Sequence, residues 1–416
     1  MNKTDLLKRM GVAFIGLLGI YLNVMADDSR KMSVTVENTS KETWKDYPVS
    51  VDLSKYESVR GAIVKYGDEV LPYQLDDMDG DGKNDELFFL ANLGKKEKRR
   101  YDITLLSEAD TTRFEPRVYV ELMLTNKKVK SENKQDLYIS HLTVDRGVNP
   151  YWMLHHHGAA FENELVAYRI YFDHRQTVDI YGKYHQGLEL RDTQFYPDAE
   201  QKAAGYGDDV LWVGQTLGLG TLRGWDGNAP TMLKEVEHRS QRIISRGPLR
   251  TIVEVKDEGW EVVAGTAPID MTIRYTLIAG HRECHVDVSF DRPTLGIPLS
   301  TGIINVKGSR EFSDHHGLRG CWGTDWPVSA KDSVGHKRET VGLGICVPES
   351  IVRSEEPANK DNYAYTLSVA ESHFTYYVTF GSDNEDFGYH SAESWFAYLR
   401  DWKRQLERES DCVKVF

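Results

Sequence analysis

The chain has 416 residues, a formal net charge of −13 at pH 7 and four cysteines. Its length is sufficient for two domains, and its acidic balance argues against nucleic acid or an anionic membrane surface as the main partner. The cysteines are too widely spaced for a disulfide framework, so we predict no structural bridge.

The first residues are typical of a secretory signal. Basic residues precede an apolar run over residues 10–26, which ends in a small-x-small cleavage pattern at Ala26. We therefore predict a signal peptide at residues 1–26 and a mature protein that is periplasmic or secreted. The run contains polar residues, and no other stretch is long and apolar enough to span a membrane, so we expect no transmembrane helix.

Residues 27–110 are predicted to form a small β-sandwich or barrel. Short runs rich in β-branched and aromatic residues, at 49–53, 62–64 and 86–90, are separated by turn residues, which is the pattern of antiparallel strands. A polar stretch at residues 106–113 then links this module to the rest of the chain.

An aspartate-rich loop lies inside the first module. Its acidic residues surround a glycine turn at a spacing that lets one tight loop wrap oxygen atoms around a hard cation, and they are Asp77, Asp79, Asp81, Asp85 and Glu86. The twelfth position of the loop is Phe88 instead of a glutamate, and the flanks have strand patterns, so the loop is not an EF-hand. We predict a structural calcium ion because neighbouring aspartates repel one another unless they are neutralised. The alternative is a solvated hairpin turn without an ion.

Residues 111–416 are predicted to form a large sandwich of two antiparallel sheets with a helix near the C-terminus. Alternating strand patterns occur at residues 251–255, 271–278, 285–290 and 375–380. Residues 391–408 repeat apolar side chains, including Trp395, Leu399 and Trp402, at the spacing of one helix face. We expect this helix to pack on the sheets.

The chemically richest segment is residues 153–183, where histidine, acidic, basic and tyrosine side chains alternate with apolar ones. His155, His156 and His157 stand in a row before Gly158. On a continuous strand, successive side chains point to opposite faces, so at most two histidines would share a site unless the glycine allowed a kink. The interpretations are a catalytic cleft, a transition-metal site and a structural role, although no familiar metal-ligand spacing is present.

A predicted hairpin follows the histidines. The pattern Y-R-I-Y-F-D places Arg169, Tyr171 and Asp173 on one face of a strand and the residues between them on the other. The next strand pattern is expected to pair with it through a short turn, which would bring Tyr181 and Lys183 close to that face. The alternative is a set of cross-strand salt bridges on an open sheet face.

Sugar contacts are predicted from aromatic and acidic side chains after the hairpin. A glycine-rich region near residues 205–220 lacks the strand-to-helix spacing of a nucleotide site, so we expect no organic cofactor. Close backbone approach and flat aromatic surfaces favour a sugar ring instead. The residues predicted to contact substrate are Tyr181, Asp208, Asp209, Trp212, Trp225 and His316.

Residues 155–164, the motifs Y-R-I-Y-F-D and D-I-Y-G-K, and D-D-V-L-W-V-G after residue 207 resemble the secreted family known as domain of unknown function 4861. The resemblance covers nearly the whole mature chain. It implies a galactose-mutarotase-like supersandwich for the main domain and a setting among proteins that degrade acidic polysaccharides. One relative resembles an oligosaccharide dehydratase, which implies removal of water from a terminal uronate.

The residue roles come from chemistry, not from the resemblance. β-Elimination on a uronate requires a cation that neutralises the carboxylate, a base for the C5 proton and an acid for the leaving oxygen. We predict that Arg169 or Lys183 pairs with the substrate carboxylate. The other predicted roles are base for His156 or His157, acid for Tyr171 and orientation of a histidine for Glu162.

The predicted function is therefore β-elimination on uronic-acid-containing oligosaccharides, by a dehydratase or an exo-acting lyase. An acidic oligosaccharide is the expected partner. The alternatives are a non-catalytic carbohydrate-binding protein, a mutarotase or epimerase, and a glycoside hydrolase with paired carboxylates.

Overall fold

The computed structural model describes residues 30–129 and 134–416. The predicted signal peptide lies outside the described residues. Within them the protein is built from antiparallel sheets with one long helix near the C-terminus, which confirms the predicted fold class. None of the helices in these ranges has the length and apolar character that a membrane span needs.

Seven strands form the N-terminal part of the described chain. They are β1 (Arg30–Asn38), β2 (Trp44–Asp52), β3 (Gly61–Tyr66), β4 (Glu69–Leu71), β5 (Tyr73–Asp76), β6 (Glu86–Leu93) and β7 (Lys98–Leu106). One sheet carries β1, β7, β3 and β4 in that order, and the other carries β2, β6 and β5. The two sheets enclose their own core, which includes Val36, Val49, Phe89 and Ile103.

The larger part of the chain contains the remaining strands. They are β8 (Val118–Glu121), β9 (Met123–Leu124), β10 (Leu137–Tyr138), β11 (His141–Asp145), β12 (Gly158–Asn163), β13 (Ala167–Tyr171), β14 (Val178–Gly182), β15 (Asp208–Asp209), β16 (Arg223–Gly224), β17 (His238–Arg246), β18 (Arg250–Trp260), β19 (Ile269–Ile278), β20 (Cys284–Phe290), β21 (Leu299–Ile304), β22 (Arg310–Ser313), β23 (Leu318–Asp325), β24 (Glu339–Cys346), β25 (Val352–Glu355), β26 (Asn362–Leu367), β27 (His373–Ser382) and β28 (Val413–Val415). The α-helices are α1 (Leu190–Thr193), α2 (Ala199–Ala203) and α3 (Ala392–Cys412). Short 3-10 turns lie at His155–His157 and Glu349–Ile351.

Three sheets build the large sandwich. The nine-stranded sheet has the order β11-β17-β18-β19-β20-β27-β24-β23-β22. The five-stranded sheet has the order β15-β14-β13-β12-β8, and the four-stranded sheet has the order β16-β21-β26-β25. Single bridges from Val178 to Gly218 and from Leu219 to Ile303 connect the two smaller sheets. The last strand, β28, pairs with β1 and so extends the N-terminal sheet.

Alternation along β13 explains which faces meet in the core. Tyr168 and Ile170 point inward and pack with Phe161 of β12 against apolar residues of the nine-stranded sheet, such as Val253 and Tyr275. Full burial of each such side chain contributes about 2 kcal/mol. The opposite face of the five-stranded sheet carries a small apolar cluster together with the polar residues of the candidate site.

Helix α3 packs on β23 and β24 through the apolar face that its sequence predicts. Trp395, Leu399 and Trp402 are buried there. The neighbouring strands make room with glycine, because a Cβ atom at Gly342 would lie 2.6 Å from the Trp395 ring. All four cysteines are free.

Candidate functional site

The three histidines occupy a kinked 3-10 turn, not a strand. His156 and His157 have φ angles of 38° and 68°, in the left-handed region that non-glycine residues rarely adopt. Gly158 then packs so tightly against β13 that a Cβ atom there would lie 1.8 Å from the carbonyl oxygen of Ile170. The kink turns all three imidazoles toward one cavity. On a straight strand, successive imidazoles would have pointed to opposite faces.

A cavity of about 470 Å³ opens beside this turn, and we call it the histidine cavity. The residues of its wall that matter for chemistry are His155, His156, His157, Tyr196, Trp152 and Lys127. Trp152 is 78% exposed, and its ring meets the His157 ring edge-on at 5.3 Å. The cavity therefore combines titratable groups with an exposed aromatic surface.

His157 is the histidine best placed to act as a base. Its Nδ1 atom donates a hydrogen bond to the Tyr151 carbonyl oxygen at 2.9 Å, which leaves the Nε2 atom unprotonated. The Tyr151 ring stacks on the imidazole with 3.6 Å between centroids and holds its orientation. Burial, together with the nearby positive charge of Arg169, lowers the pKa of His157 to about 3. The ring is therefore neutral at physiological pH.

His156 is fully buried and pairs with Glu121 of β8. Its Nε2 atom lies 3.0 Å from one carboxyl oxygen of Glu121, and the Tyr119 hydroxyl donates to the other at 2.8 Å. Burial raises the pKa of Glu121 to about 8 and lowers the pKa of His156 to about 3. We therefore place the shared proton on Glu121. Among the described residues, His156 Nδ1 and His155 Nε2 have no hydrogen-bond partner.

Arg169 lies behind the cavity at the centre of a buried polar cluster. It stands directly opposite Asp179 in the β13–β14 ladder, which confirms the predicted hairpin, and its Nη2 atom contacts the Asp179 carboxylate. The same atom donates to Asp209 at 3.0 Å and to the Tyr171 hydroxyl at 2.9 Å. The guanidinium also lies over the Phe195 ring at 4.0 Å. Burial and the Asp179 charge raise the pKa of Asp209 well above its usual range.

Two tyrosine hydroxyl groups contact Arg169, and they differ in whether a protein group accepts their proton. Tyr171 accepts from Arg169 and donates to Asp179 at 3.1 Å, so its proton is engaged inside the cluster. Tyr196 accepts from Arg169 Nη1 at 2.9 Å in the wall of the histidine cavity, and no described residue accepts its O–H. Burial raises the pKa of Tyr196, so it keeps its proton at neutral pH. Tyr196, not Tyr171, offers a proton to a bound molecule.

The predicted catalytic residues Glu162 and Lys183 form a separate, fully buried ion pair. Lys183 Nζ donates to Glu162 at 2.6 Å and to two backbone carbonyl oxygens. The Glu162 carboxylate also accepts from the backbone N–H groups of Glu189 and Leu190, where α1 begins. Contrary to the prediction, Glu162 orients no histidine and Lys183 has no proton left for a substrate carboxylate. The carboxyl group that contacts His156 is that of Glu121.

The predicted substrate contacts near the hairpin are already engaged within the protein. Asp209 joins the arginine cluster described above. Asp208 pairs with Lys202 at 2.5 Å. Tyr181 is buried, and its hydroxyl donates to Glu189 at 3.0 Å. Of these three residues, Asp209 alone contacts the groups that adjoin the histidine cavity.

The other predicted substrate contacts lie apart from the histidine cavity. Trp212 is 46% exposed just after β15. Trp225 lines a different cavity, of about 660 Å³, together with Arg353. His316 is exposed and pairs with Glu349 at 2.9 Å. The structure therefore does not bring Trp212, Trp225 or His316 to the wall of the histidine cavity.

The aspartate-rich loop gathers three of its five predicted ligands. Three carboxylates have oxygen atoms within 4.8 Å of one another, and they are Asp77, Asp79 and Asp85. Asp81 instead pairs with Lys83 at 3.3 Å, and Glu86 pairs with Arg250 of β18. Calcium binding stays a prediction, and the expected ligands are now these three carboxylates. No comparable group in the described ranges includes a histidine.

Sequence reasoning missed three residues that shape the histidine cavity. Glu121 sits in an apolar strand, and an acid at such a position was the available signal. Tyr151 acts through its backbone carbonyl and its ring, which no motif reveals. Tyr196 reaches Arg169 across 27 residues, and no local pattern links the two.

Comparison with known proteins places the chain in a family. A solved protein in the glycosyl hydrolase family 38 from Enterococcus faecalis matches with a TM-score of 0.49 and 10% identity, covering 93% of this chain and 47% of its own. An α-mannosidase from Enterococcus faecalis V583 matches with a TM-score of 0.46 and 9% identity, covering 93% and 46%. The chain thus spans about half the length of these structures, and no curated protein matches it. The model of the domain of unknown function DUF4861 matches residues 36–410, so the chain belongs to that family.

Proposed function

We propose that the protein is a periplasmic or secreted carbohydrate-active enzyme that catalyses β-elimination on uronic-acid-containing oligosaccharides, as a dehydratase or an exo-acting lyase. One observation carries the proposal. His157, a neutral imidazole, and Tyr196, a phenol, line the same cavity, and no described residue binds the His157 Nε2 atom or accepts the Tyr196 proton. An elimination needs such a pair, because one group removes the C5 proton and another protonates the leaving oxygen.

His157 supplies the base in this proposal. Its low pKa in the free protein results from burial and from the nearby Arg169 and Arg175. A bound uronate carboxylate would add a negative charge beside the ring and so raise this pKa toward its usual range. The substrate itself would therefore make His157 a stronger base, closer to the range in which general bases work at neutral pH.

Tyr196 supplies the acid, and Arg169 supports it. Donation from Arg169 to the Tyr196 oxygen stabilises the phenolate that forms when the proton leaves. Arg169 itself is buried and occupied by Asp179 and Asp209. Its proposed role is therefore to tune Tyr196, and the earlier assignment of Arg169 to the substrate carboxylate is not retained.

The substrate carboxylate is assigned to Lys127, an exposed cation on the wall of the histidine cavity. Its ammonium group would stabilise the charge that develops on the carboxylate as the C5 proton leaves. Trp152 offers a face for the neighbouring sugar ring.

The test is the absorbance of unsaturated uronate while the purified protein is incubated with pectic, ulvan-type and glucuronoxylan oligosaccharides. We expect an increase that His157→Ala reduces at least 100-fold. Product masses then separate loss of water from cleavage of a glycosidic bond. His390→Ala is the matched control, because His390 is exposed and pairs with Asp383 away from the histidine cavity. This control is expected to keep full activity.

Other outcomes of the same assay would contradict the proposal. Binding without a new product would indicate a non-catalytic carbohydrate-binding protein. A change of anomeric ratio or of sugar configuration without absorbance would indicate a mutarotase or epimerase. New reducing ends without the chromophore would indicate hydrolysis.

A further inference from the structure

A second cavity adjoins the strand that carries Glu121, and we call it the arginine cavity. Its volume is about 440 Å³. Arg191 of α1, Arg246 at the end of β17, Tyr119 of β8 and Tyr138 of β10 line it. None of the described residues in its wall is acidic.

The two guanidinium groups of this cavity are not neutralised by the described part of the protein. Arg191 is exposed and lies over the Tyr119 ring at 5.1 Å. Arg246 is exposed, and its hydrogen bond goes to the backbone carbonyl oxygen of Ile139 at 3.3 Å. By contrast, Arg169 is held by two carboxylates. The chain has 64 acidic and 51 basic side chains, so a wall whose described residues include two cations without an ion pair and no acid departs from its general balance.

The Glu121 carboxyl group, next to the arginine cavity, does not neutralise the two arginines. It accepts a hydrogen bond from the Tyr119 hydroxyl at 2.8 Å. Burial raises the pKa of Glu121 to about 8, so the group is mostly protonated at pH 7. The cavity therefore keeps a positive potential that attracts anions. Its two tyrosine rings add flat apolar faces of the kind that sugar rings contact.

We propose that the arginine cavity is a second sugar subsite, which binds the negatively charged group of another residue in the same acidic oligosaccharide. That group is a carboxylate or a sulfate ester, since the guanidinium fork matches the oxygens of either anion. Tyr119 and Tyr138 contact the ring that carries it. The identity of the bound chain rests on the proposed function, whereas the binding of a sugar-borne anion does not depend on turnover.

The two cavities are close enough to serve one chain. Tyr119 lines the arginine cavity and His156 lines the histidine cavity, with Glu121 hydrogen-bonded to both. The same short segment also borders both cavities, because Gln135 lies on the wall of one and Tyr138 on the wall of the other. In this proposal, a bound oligosaccharide that places its reacting residue beside His157 extends its neighbouring residues to the arginine cavity.

The experiment is calorimetric titration of the mature chain in a His157→Ala background, which separates binding from turnover. The probes are an oligogalacturonate trisaccharide, its carboxyl-reduced neutral analogue and a sulfated trisaccharide. The double substitution Arg191→Gln and Arg246→Gln is expected to raise the Kd for a charged probe at least tenfold, because two charge-assisted hydrogen bonds are lost. The Kd for the neutral analogue is expected to stay the same. Arg113→Gln, at an exposed arginine outside both cavities, is the matched control.

Further measurements distinguish the contributions. Tyr138→Ala is expected to weaken the charged and the neutral probe alike, because it removes a ring and no charge. Added salt is expected to weaken the charged probes only, since both guanidinium groups are exposed to screening. A preference for the sulfated or for the uronate probe identifies which anion the subsite takes.

An unchanged Kd for both charged probes in the double variant, with a native circular dichroism spectrum, would overturn the subsite. Absence of binding of either charged probe to the parent would overturn it as well. If binding depends on Arg191 and Arg246 while the wild type turns over no substrate, the subsite stands and the elimination proposal fails.

Discussion

Two buried pairs, Lys183 with Glu162 and His156 with Glu121, are equally withdrawn from solvent, with side-chain exposure of 0% at all four residues. They differ in how many of their hydrogen-bond donors and acceptors have a partner. Lys183 Nζ has three acceptors, and the Glu162 carboxylate also holds the start of α1. His156 keeps Nδ1 without a partner in the described ranges. Equal burial therefore does not mean equal satisfaction of hydrogen bonds, and an unused ring nitrogen is what distinguishes the second pair from the first.

Breaking the Lys183–Glu162 ion pair, whose hydrogen bonds are all made, should have the largest effect on stability. Lys183→Met leaves the Glu162 carboxylate buried without its cation, and we expect the free energy of unfolding to fall by about 3–5 kcal/mol. Urea denaturation followed by circular dichroism measures it. Adding Glu162→Gln to the same chain removes the uncompensated charge and should restore part of the loss. A fall below about 1 kcal/mol in Lys183→Met would show that the pair is not structural.

Removing the hydroxyl group of Tyr196 should affect activity more than stability. Tyr196→Phe is expected to lower kcat on an eliminated substrate by about 100-fold, because it removes the proposed acid, with unfolding changed by less than about 1 kcal/mol. Tyr171→Phe is the matched control, since its proton is engaged by Asp179. This control is expected to lower stability by about 1–2 kcal/mol, with a smaller loss of kcat. Equal losses of kcat in the two variants would count against Tyr196 as the acid.

The His156–Glu121 pair should appear in the pH dependence of stability. Because burial raises the pKa of Glu121 to about 8, its contribution is complete below the ordinary pKa of a glutamate and is lost as pH rises through 8. His156 acts in the opposite sense, because its pKa of about 3 makes its contribution complete above 6.5 and lost as pH falls toward 3. Between pH 6.5 and 8, Glu121 alone of the pair changes, and we expect a loss of about 2 kcal/mol.

Glu121→Gln tests this pH dependence directly. The amide still donates to His156 Nε2 but does not titrate, so the decrease in stability between pH 6.5 and 8 should become smaller by about 2 kcal/mol. Urea midpoints at several pH values in this range measure it. Glu42→Gln, at an exposed glutamate that pairs with Arg408, should leave the slope as in the wild type. If the stability of Glu121→Gln fell with pH as steeply as that of the wild type, the raised pKa of Glu121 would be contradicted.

The smallest expected effect concerns the aspartate-rich loop, where three carboxylates bring oxygen atoms within 4.8 Å of one another. Calcium at ten times its Kd should raise the free energy of unfolding by about 1.4 kcal/mol. Melting temperatures with calcium and with a chelator measure it. Asp85→Asn should abolish the difference, and Asp81→Asn should preserve it, because Asp81 lies outside the group of three carboxylates. Equal melting temperatures of the wild type in both conditions would rule out a stabilising ion.

Local periodicity determined much of the fold. The pattern Y-R-I-Y-F-D was sufficient to place Tyr168 and Ile170 in the core and Arg169 on the opposite face, because side chains of a strand alternate whatever the strand pairs with. The helical spacing of Trp395 and Leu399 likewise predicted the buried face of α3. Both features depend on the backbone geometry of a single element, which the sequence carries by itself.

Tertiary structure alone decided which polar groups meet. Glu121 reaches His156 across 35 residues, and Tyr196 reaches Arg169 across 27. The close approach at Gly158 then determines where the histidine turn points. No period in the sequence specifies such contacts, because they depend on strand order and on how tightly two backbones approach. The same holds for the low pKa of His157, since burial and neighbouring charge, which cause it, exist only in the folded chain.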